Sequence, residues 1–210
     1  MFFLRNLFFY LFFASSFLIA DLLKPYDGQS ISYIHVLFEW EQEPDAIMYN
    51  IQLSSASSFS NNLLNTNTSN LIYIYKDDIN WSDTYYWRVR PLYNSDDGDY
   101  IYGDWIDTDT FSITNRITGA SGTSVDIIND DLYNDGLTIM GDLSEDNRSF
   151  VFDKNGKEIW NDRYRDFITN HVNKYGQISG CSFNNFPQNT GSVLNYDIQY
   201  QWQGPEDVYI

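Results

Sequence analysis

Thr84-Tyr85-Tyr86-Trp87-Arg88-Val89-Arg90 alternates strictly, with Tyr85, Trp87 and Val89 on one side and Arg88 and Arg90 on the other. Side chains on a strand point to opposite faces at a period of two, so the heptad reads as a strand with one buried face. Working outward, the same alternation recurs in Val36, Phe38 and Trp40 and in Tyr49, Ile51 and Leu53, with the polar turn Glu41-Gln42-Glu43-Pro44-Asp45 between them. Leu71 to Tyr75 supplies a further apolar run, and Phe111 and Ile113 close the set. The parity between Trp105 and Phe111 crosses two aspartates, which predicts a bulge there. Short alternating strands with turn signals every 8–12 residues or so predict a sandwich or barrel.

Composition agrees. The 210 residues are 43% hydrophobic and 18% aromatic, enough to bury a core, and aromatic side chains suit a pleated, half-buried surface. The net charge is −17, with 12 Lys and Arg against 29 acids. That balance argues against a nucleic-acid partner, which needs a broad cationic footprint, and against an anionic membrane surface. The surplus of acid serves solubility, with calcium on acidic loops as the sharper alternative. Asn94-Ser95-Asp96-Asp97-Gly98-Asp99 is the densest such loop, but it lacks EF-hand spacing and reads first as a turn.

Residues 1–20 differ from the rest. A short positive start at Arg5, an apolar run from Leu7 to Phe13 and small residues at Ala14-Ser15-Ser16 and Ala20 predict a cleaved secretory signal, with cleavage after Ala20. The expected location is therefore exported: periplasmic, cell-surface or extracellular, with no stable membrane insertion once the signal is removed. Cys181 is the only cysteine, so no disulfide forms within the chain, and a small buried side chain is its expected role.

The order Pro25 and Gly28, Phe38-Glu39-Trp40, Ala46 to Leu53, Thr84 to Arg90, Tyr102-Gly103-Asp104-Trp105 and Phe111-Ser112-Ile113 resembles a bacterial fibronectin type III domain over residues 25–115. The resemblance implies a seven-stranded β-sandwich with Trp40 in its core and Tyr85 on an inner face, and implies no activity. Residues 116–124 form a small-residue linker.

Beyond it, Leu137 to Met140, Arg148 to Asp153 and Glu158-Ile159-Trp160 read as strands, and Asp153-Lys154-Asn155-Gly156-Lys157 reads as a hairpin turn through an Asn-Gly pair at positive φ. Gly176 to Phe183 and Val193 to Trp202 supply more strand-like sequence, while Thr169-Asn170-His171-Val172-Asn173 reads as a polar connection. Phe152 to Trp160, with Gly136 to Met140 before it and Tyr200-Gln201-Trp202 after it, is similar to a blade of bacterial aryl-sulfate sulfotransferases. That family implies a small sandwich followed by a six-bladed propeller, and sulfuryl transfer between phenols through a histidine nucleophile. About 95 residues make at most two blades, so the segment is expected to be an incomplete propeller, truncated or degenerate, with exposed strand edges and loose folding after residue 125.

The expected architecture is therefore all-β: signal 1–20, fibronectin type III-like sandwich 21–115, linker 116–129 and partial propeller-like segment 130–210. Two functions stand: the exported amino-terminal portion of a sulfotransferase-like protein with the sandwich as docking module, or a non-enzymatic binding module for a glycan or protein. His35 and His171 match no catalytic motif, and a lone loop histidine is first a surface residue. Arg88 and Arg90 are suited to grip a carboxylate or sulfate, but pairing with nearby acids is the default. Trp81, Trp87, Trp105, Trp160 and Trp202 suit a sugar-binding surface, with buried core as their default. No catalytic residue, cofactor-binding residue, metal ligand or cofactor is assigned.

Overall fold

The computed structural model describes residues 20–116, 129, 131, 136–142, 148–163, 166–182 and 190–203. Of the expected signal only Ala20 is among them, and most of the expected linker 116–129 lies outside the described residues. The described chain is all-β, without an α-helix, and its several sheets are not closed into a barrel.

Residues 20–116 form two sheets. Strands β1 (Leu22–Lys24), β3 (Val36–Trp40) and β6 (Ile72–Tyr75) make a three-stranded sheet in the order β1-β3-β6. Strands β2 (Gln29–Ile31), β4 (Met48–Ser54), β5 (Asn62–Thr68), β7 (Thr84–Asn94) and β9 (Thr108–Ile113) run in the order β2-β9-β7-β4-β5, with β8 (Tyr100–Tyr102) paired to β7. Their inner faces meet through the alternating apolar rows. Val36, Phe38 and Trp40 from β3 and Tyr85, Trp87 and Val89 from β7 are all buried. Phe38 lies 5.0 Å from Trp87 and 5.8 Å from Phe111, ring centre to ring centre. Such tilted and edge-on pairs add roughly 0.5–1.5 kcal/mol each beyond the area they bury. Trp87 also donates its indole N–H to the Pro25 carbonyl at 3.1 Å, so its one polar atom is satisfied inside the core.

The expected bulge before Phe111 is instead a stretch outside any strand. Residues 103–107 leave the sheet, held by Ile106 N–H to Val89 C=O at 2.8 Å, and the ladder resumes at Thr108. The acidic loop forms a tight turn: Gly98 N–H donates to Ser95 C=O and Ser95 N–H to Asp99 C=O, with Gly98 at φ +85°.

The second half holds two antiparallel meanders. One is β10 (Thr138–Asp142), β11 (Arg148–Phe152) and β12 (Glu158–Asn161); the other is β13 (Phe167–Val172), β14 (Ile178–Ser182), β15 (Thr190–Leu194) and β16 (Tyr200–Gln203). Two sequence expectations are corrected here. His171 stands in strand β13 rather than in a polar connection; its residue pairs with Ser179 across the ladder. Val193 to Trp202 is a hairpin, not one strand, because residues 195–199 turn the chain.

The halves are joined by hydrogen bonds. Ile34 N–H donates to Ile159 C=O at 2.9 Å and Asn161 N–H to Ser32 C=O at 3.0 Å, with Tyr33 opposite Trp160. Ser32–Ile34 thus lies along β12 as an additional edge of that meander. One buried cluster runs from Phe38 and Trp87 through Tyr33 and Ile34 to Val151, Trp160, Phe167 and Leu194.

Candidate functional site: the seam between the two halves

Three hairpin turns of the second half have one construction. In Asp153–Lys157, Asn173–Gln177 and Asn195–Gln199 the first residue's N–H donates to the fifth residue's C=O. The fourth residue's N–H returns to the first residue's C=O. The first side chain accepts from the fifth N–H, at 2.9 Å for Asp153, 3.1 Å for Asn173 and 2.8 Å for Asn195. The fourth residue sits at positive φ: Gly156 at +77°, Gly176 at +76° and Ile198 at +63°. This is a type I turn closed by a residue in the left-handed region, with an Asx side chain fixing its start. In the first turn only Gly156 takes positive φ; Asn155 does not, which corrects the expected Asn-Gly geometry.

These turns gather at one place. Asp153, Lys154 and Asn155 line one hollow of about 320 Å³ with His35, Lys76 and Leu137. Tyr196 lines a second of about 300 Å³ with Tyr33, His35, Leu37, Ile74 and Trp160. Gly176 lines a third of about 200 Å³, walled by Ile139, Val151, Val172 and Ile178. The first two share His35 and Leu137, and the last two share Leu137, Ile159, Trp160 and Tyr196. Together they form a groove on the seam, with Lys76, Lys154 and Asp153 at its mouth and apolar walls beyond.

The aromatic wall is fixed by polar bonds at its edges. Trp160 donates its indole N–H to Tyr196 C=O at 2.8 Å. Tyr33 packs edge-on against Tyr196 at 5.7 Å and donates its hydroxyl to Asp197 at 2.8 Å. Burial, with Asp197 beside it, pushes the Tyr33 phenol well above its ordinary range, so it stays a donor. Lys24 donates to the Tyr196 hydroxyl at 3.1 Å, and this bond holds the ammonium above its usual pKa. At the mouth, burial and then the charges of Lys76 and Lys157 hold His35 below the ordinary imidazole value. Asp153 lies there too, but its carboxylate already accepts the Asn155 and Lys157 backbone N–H groups at 2.8 and 2.9 Å.

The other residues singled out from the sequence fall elsewhere. Among the described residues Arg88 and Arg90 do not pair with acids. Arg88 donates to Gln52 Oε1 at 2.9 and 2.7 Å, and Arg90 to Asn50 Oδ1 at 3.2 Å. Their guanidinium groups stack on rings: Arg88 on Phe59 at 3.8 Å and Trp105 at 4.0 Å, Arg90 on Trp105 at 4.4 Å and Tyr102 at 4.2 Å. The amides and the rings satisfy donor edges and cation faces together. Trp87 is core, Trp81 is half-buried and donates across the seam to Glu158 C=O at 3.3 Å, and the side chain of Trp202 lies outside the described ones. Cys181 is half-buried rather than buried. His35 and His171 are not brought together: His35 is at the groove mouth and His171 is exposed on β13. Among the described residues no group of three or more His, Cys, Asp or Glu is arranged to hold a metal ion.

The groove was missed at the sequence level, although a signal for it was present. Asp153, Asn173 and Asn195 stand 20 and 22 residues apart, each followed by a polar residue four places on. No protein-family model matches the chain, and neither does any curated protein.

Proposed function

We propose that this chain is an exported binding module that holds a small amphipathic molecule in the seam between a fibronectin type III-like β-sandwich and a blade-like second segment. The observation that carries this is the groove itself, in which three equivalent turns and the outer face of the β1-β3-β6 sheet converge on three adjoining open hollows, two of them apolar and the third lined by Lys76, Lys154 and Asp153. Concave, mostly apolar sites with a few placed polar groups are what small ligands require. The test is the fluorescence of N-phenyl-1-naphthylamine, a neutral apolar probe. It should rise with the wild-type chain and stay low with Leu137→Asp, since half-exposed Leu137 borders all three hollows. Equal fluorescence in both would remove the groove as the site.

A second reading is the amino-terminal portion of an aryl-sulfate sulfotransferase-like protein. It is favoured by the four-stranded meander β13–β16 and by the three-stranded meander that Ser32–Ile34 extends, since a propeller blade is a four-stranded antiparallel sheet. Release of 4-nitrophenolate from 4-nitrophenyl sulfate in the presence of a phenol acceptor would favour it over binding alone.

A further inference from the structure

We infer that the ligand of the seam groove is an elongated acyl carboxylate, its head at the Lys76–Lys154–His35 mouth and its chain running past Leu137 and Trp160 into the hollow walled by Ile139, Val151, Val172 and Ile178. This rests on the binding reading above and deepens it. Shape comes first. The mouth and the hollow walled by Ile139, Val151, Val172 and Ile178 have only Leu137 in common, and the middle hollow joins them, so a ligand that fills the groove is long rather than compact. The walls beyond the mouth are mostly Leu, Ile and Val with three aromatic residues, Tyr33, Trp160 and Tyr196, so each methylene drawn in leaves water for carbon.

Charge comes second. The chain as a whole carries −17, yet lysines 76 and 154 line the mouth and Lys157 acts on His35 beside them. Two acids act there as well: Asp153 lines the hollow and keeps its charge although two backbone N–H groups bond it, and Asp77 acts on His35, so three lysines face two carboxylates. An excess of one positive charge at this mouth, in a chain so acidic overall, favours an anionic head over a neutral or cationic one of the same body. Unlike a compact aromatic anion, an acyl chain uses all three hollows.

The experiment is calorimetric titration of the purified chain with decanoate, decanol and decyltrimethylammonium. Decanoate is expected to bind about tenfold tighter than decanol, as two lysine contacts allow, and the ammonium weakest. Lys76→Gln with Lys154→Gln should remove the preference, so that decanoate and decanol bind the double variant alike. Both lysines stand at the mouth, outside the core, so the double variant retains the fold. Equal binding of decanoate and decanol to the wild type would overturn the carboxylate assignment and leave the groove standing. Tighter binding of 4-nitrophenyl sulfate than of decanoate would overturn the acyl assignment. Absence of binding by all of them, or binding undiminished in Leu137→Asp, would bring down the groove reading as well.

Discussion

Asn161 offers the sharpest test of the seam. Its side chain is fully buried and bonded three ways. The amide donates to Asn115 C=O at 3.1 Å and to Glu158 Oε1 at 2.8 Å, and its oxygen accepts the Arg163 N–H at 3.1 Å. Asn115 belongs to the first half and Glu158 to β12, so the amide ties the two together. Glu158 is itself buried, with Arg116 at 3.7 Å as its charged neighbour. Asn161→Ala removes all three of these hydrogen bonds at once and leaves the buried Glu158 carboxylate a donor short. A hydrogen bond to a charged group contributes roughly 1.5–3 kcal/mol and a neutral one roughly 0.5–1.5 kcal/mol, so a loss of about 3 kcal/mol is expected. For a chain of this size that lowers the melting temperature by roughly 6–12 °C. Asn161→Asp should cost more, because it sets a second carboxylate against Glu158. Urea unfolding followed by tryptophan fluorescence reads the stability, and limited proteolysis reads where the chain opens. With a coupled seam, the variant unfolds in one earlier transition and new cleavage appears in both halves. A loss under 0.5 kcal/mol for Asn161→Ala, or wild-type stability for Asn161→Asp, would refute the view that this seam is dry and closed.

Gly180→Ala should unfold the β13–β14 hairpin, since a Cβ there would collide with the Ile168 carbonyl oxygen and lie 2.7 Å from the Phe167 ring; loss of soluble folded protein is the readout. Trp105→Ala removes two cation–π contacts worth roughly 0.5–1 kcal/mol each and leaves Arg88 and Arg90 facing one another. The urea midpoint should fall and then partly recover in high salt, and a salt-independent loss would contradict the stacking account. Burial first, then Asp27, Asp107 and Asp21, push the Asp109 carboxyl up to about 6. A carboxyl raised by folding contributes stability that is present below its unfolded pKa and is lost as pH rises through the folded value. Asp109→Asn should therefore stabilise the chain more at pH 7.5 than at pH 5, measured by thermal unfolding.

Much of the first half was legible because its strands bury one face only. The rows Val36-Phe38-Trp40, Tyr85-Trp87-Val89 and Phe111-Ile113 alternate in sequence and all point inward in the structure. Strand β5 was not legible. Asn-Leu-Leu-Asn-Thr-Asn-Thr has no clean period, and its place comes from the ladder with β4, where Asn50 donates to Asn65 and Asn67 at 3.0 Å each. Strand β13 hid for a related reason, since His171 and Asn170 are exposed and only Phe167 is fully buried. The groove was illegible as a site because its walls come from residues 33–37, 74–76, 136–139, 151–160, 169–178 and 196, none of which carries a motif alone. Lys76 and Lys154 become a pair only when β6 and the turn after β11 are brought side by side.

The third turn shows how the repeat accepts a departure that sequence rules would reject. Its left-handed position holds Ile198, a β-branched residue, where the other two hold glycine. Left-handed backbone costs a side chain with a Cβ roughly 1–2 kcal/mol. Ile198 is 1% exposed, and burying an isoleucine side chain returns roughly 1.5–3 kcal/mol. Burial wins by a small margin, and it does so beside Tyr196, which walls the groove. Ile198→Gly relieves the strain but loses the burial and adds roughly 0.5–1 kcal/mol of backbone entropy. The net expectation is a loss of about 1 kcal/mol in urea unfolding, accompanied by weaker decanoate binding as Tyr196 loses its support. If Ile198→Gly proved more stable than the wild type, strain would outweigh burial at this position. The third turn would then be a strained element held by the rest of the sheet rather than one that anchors the wall.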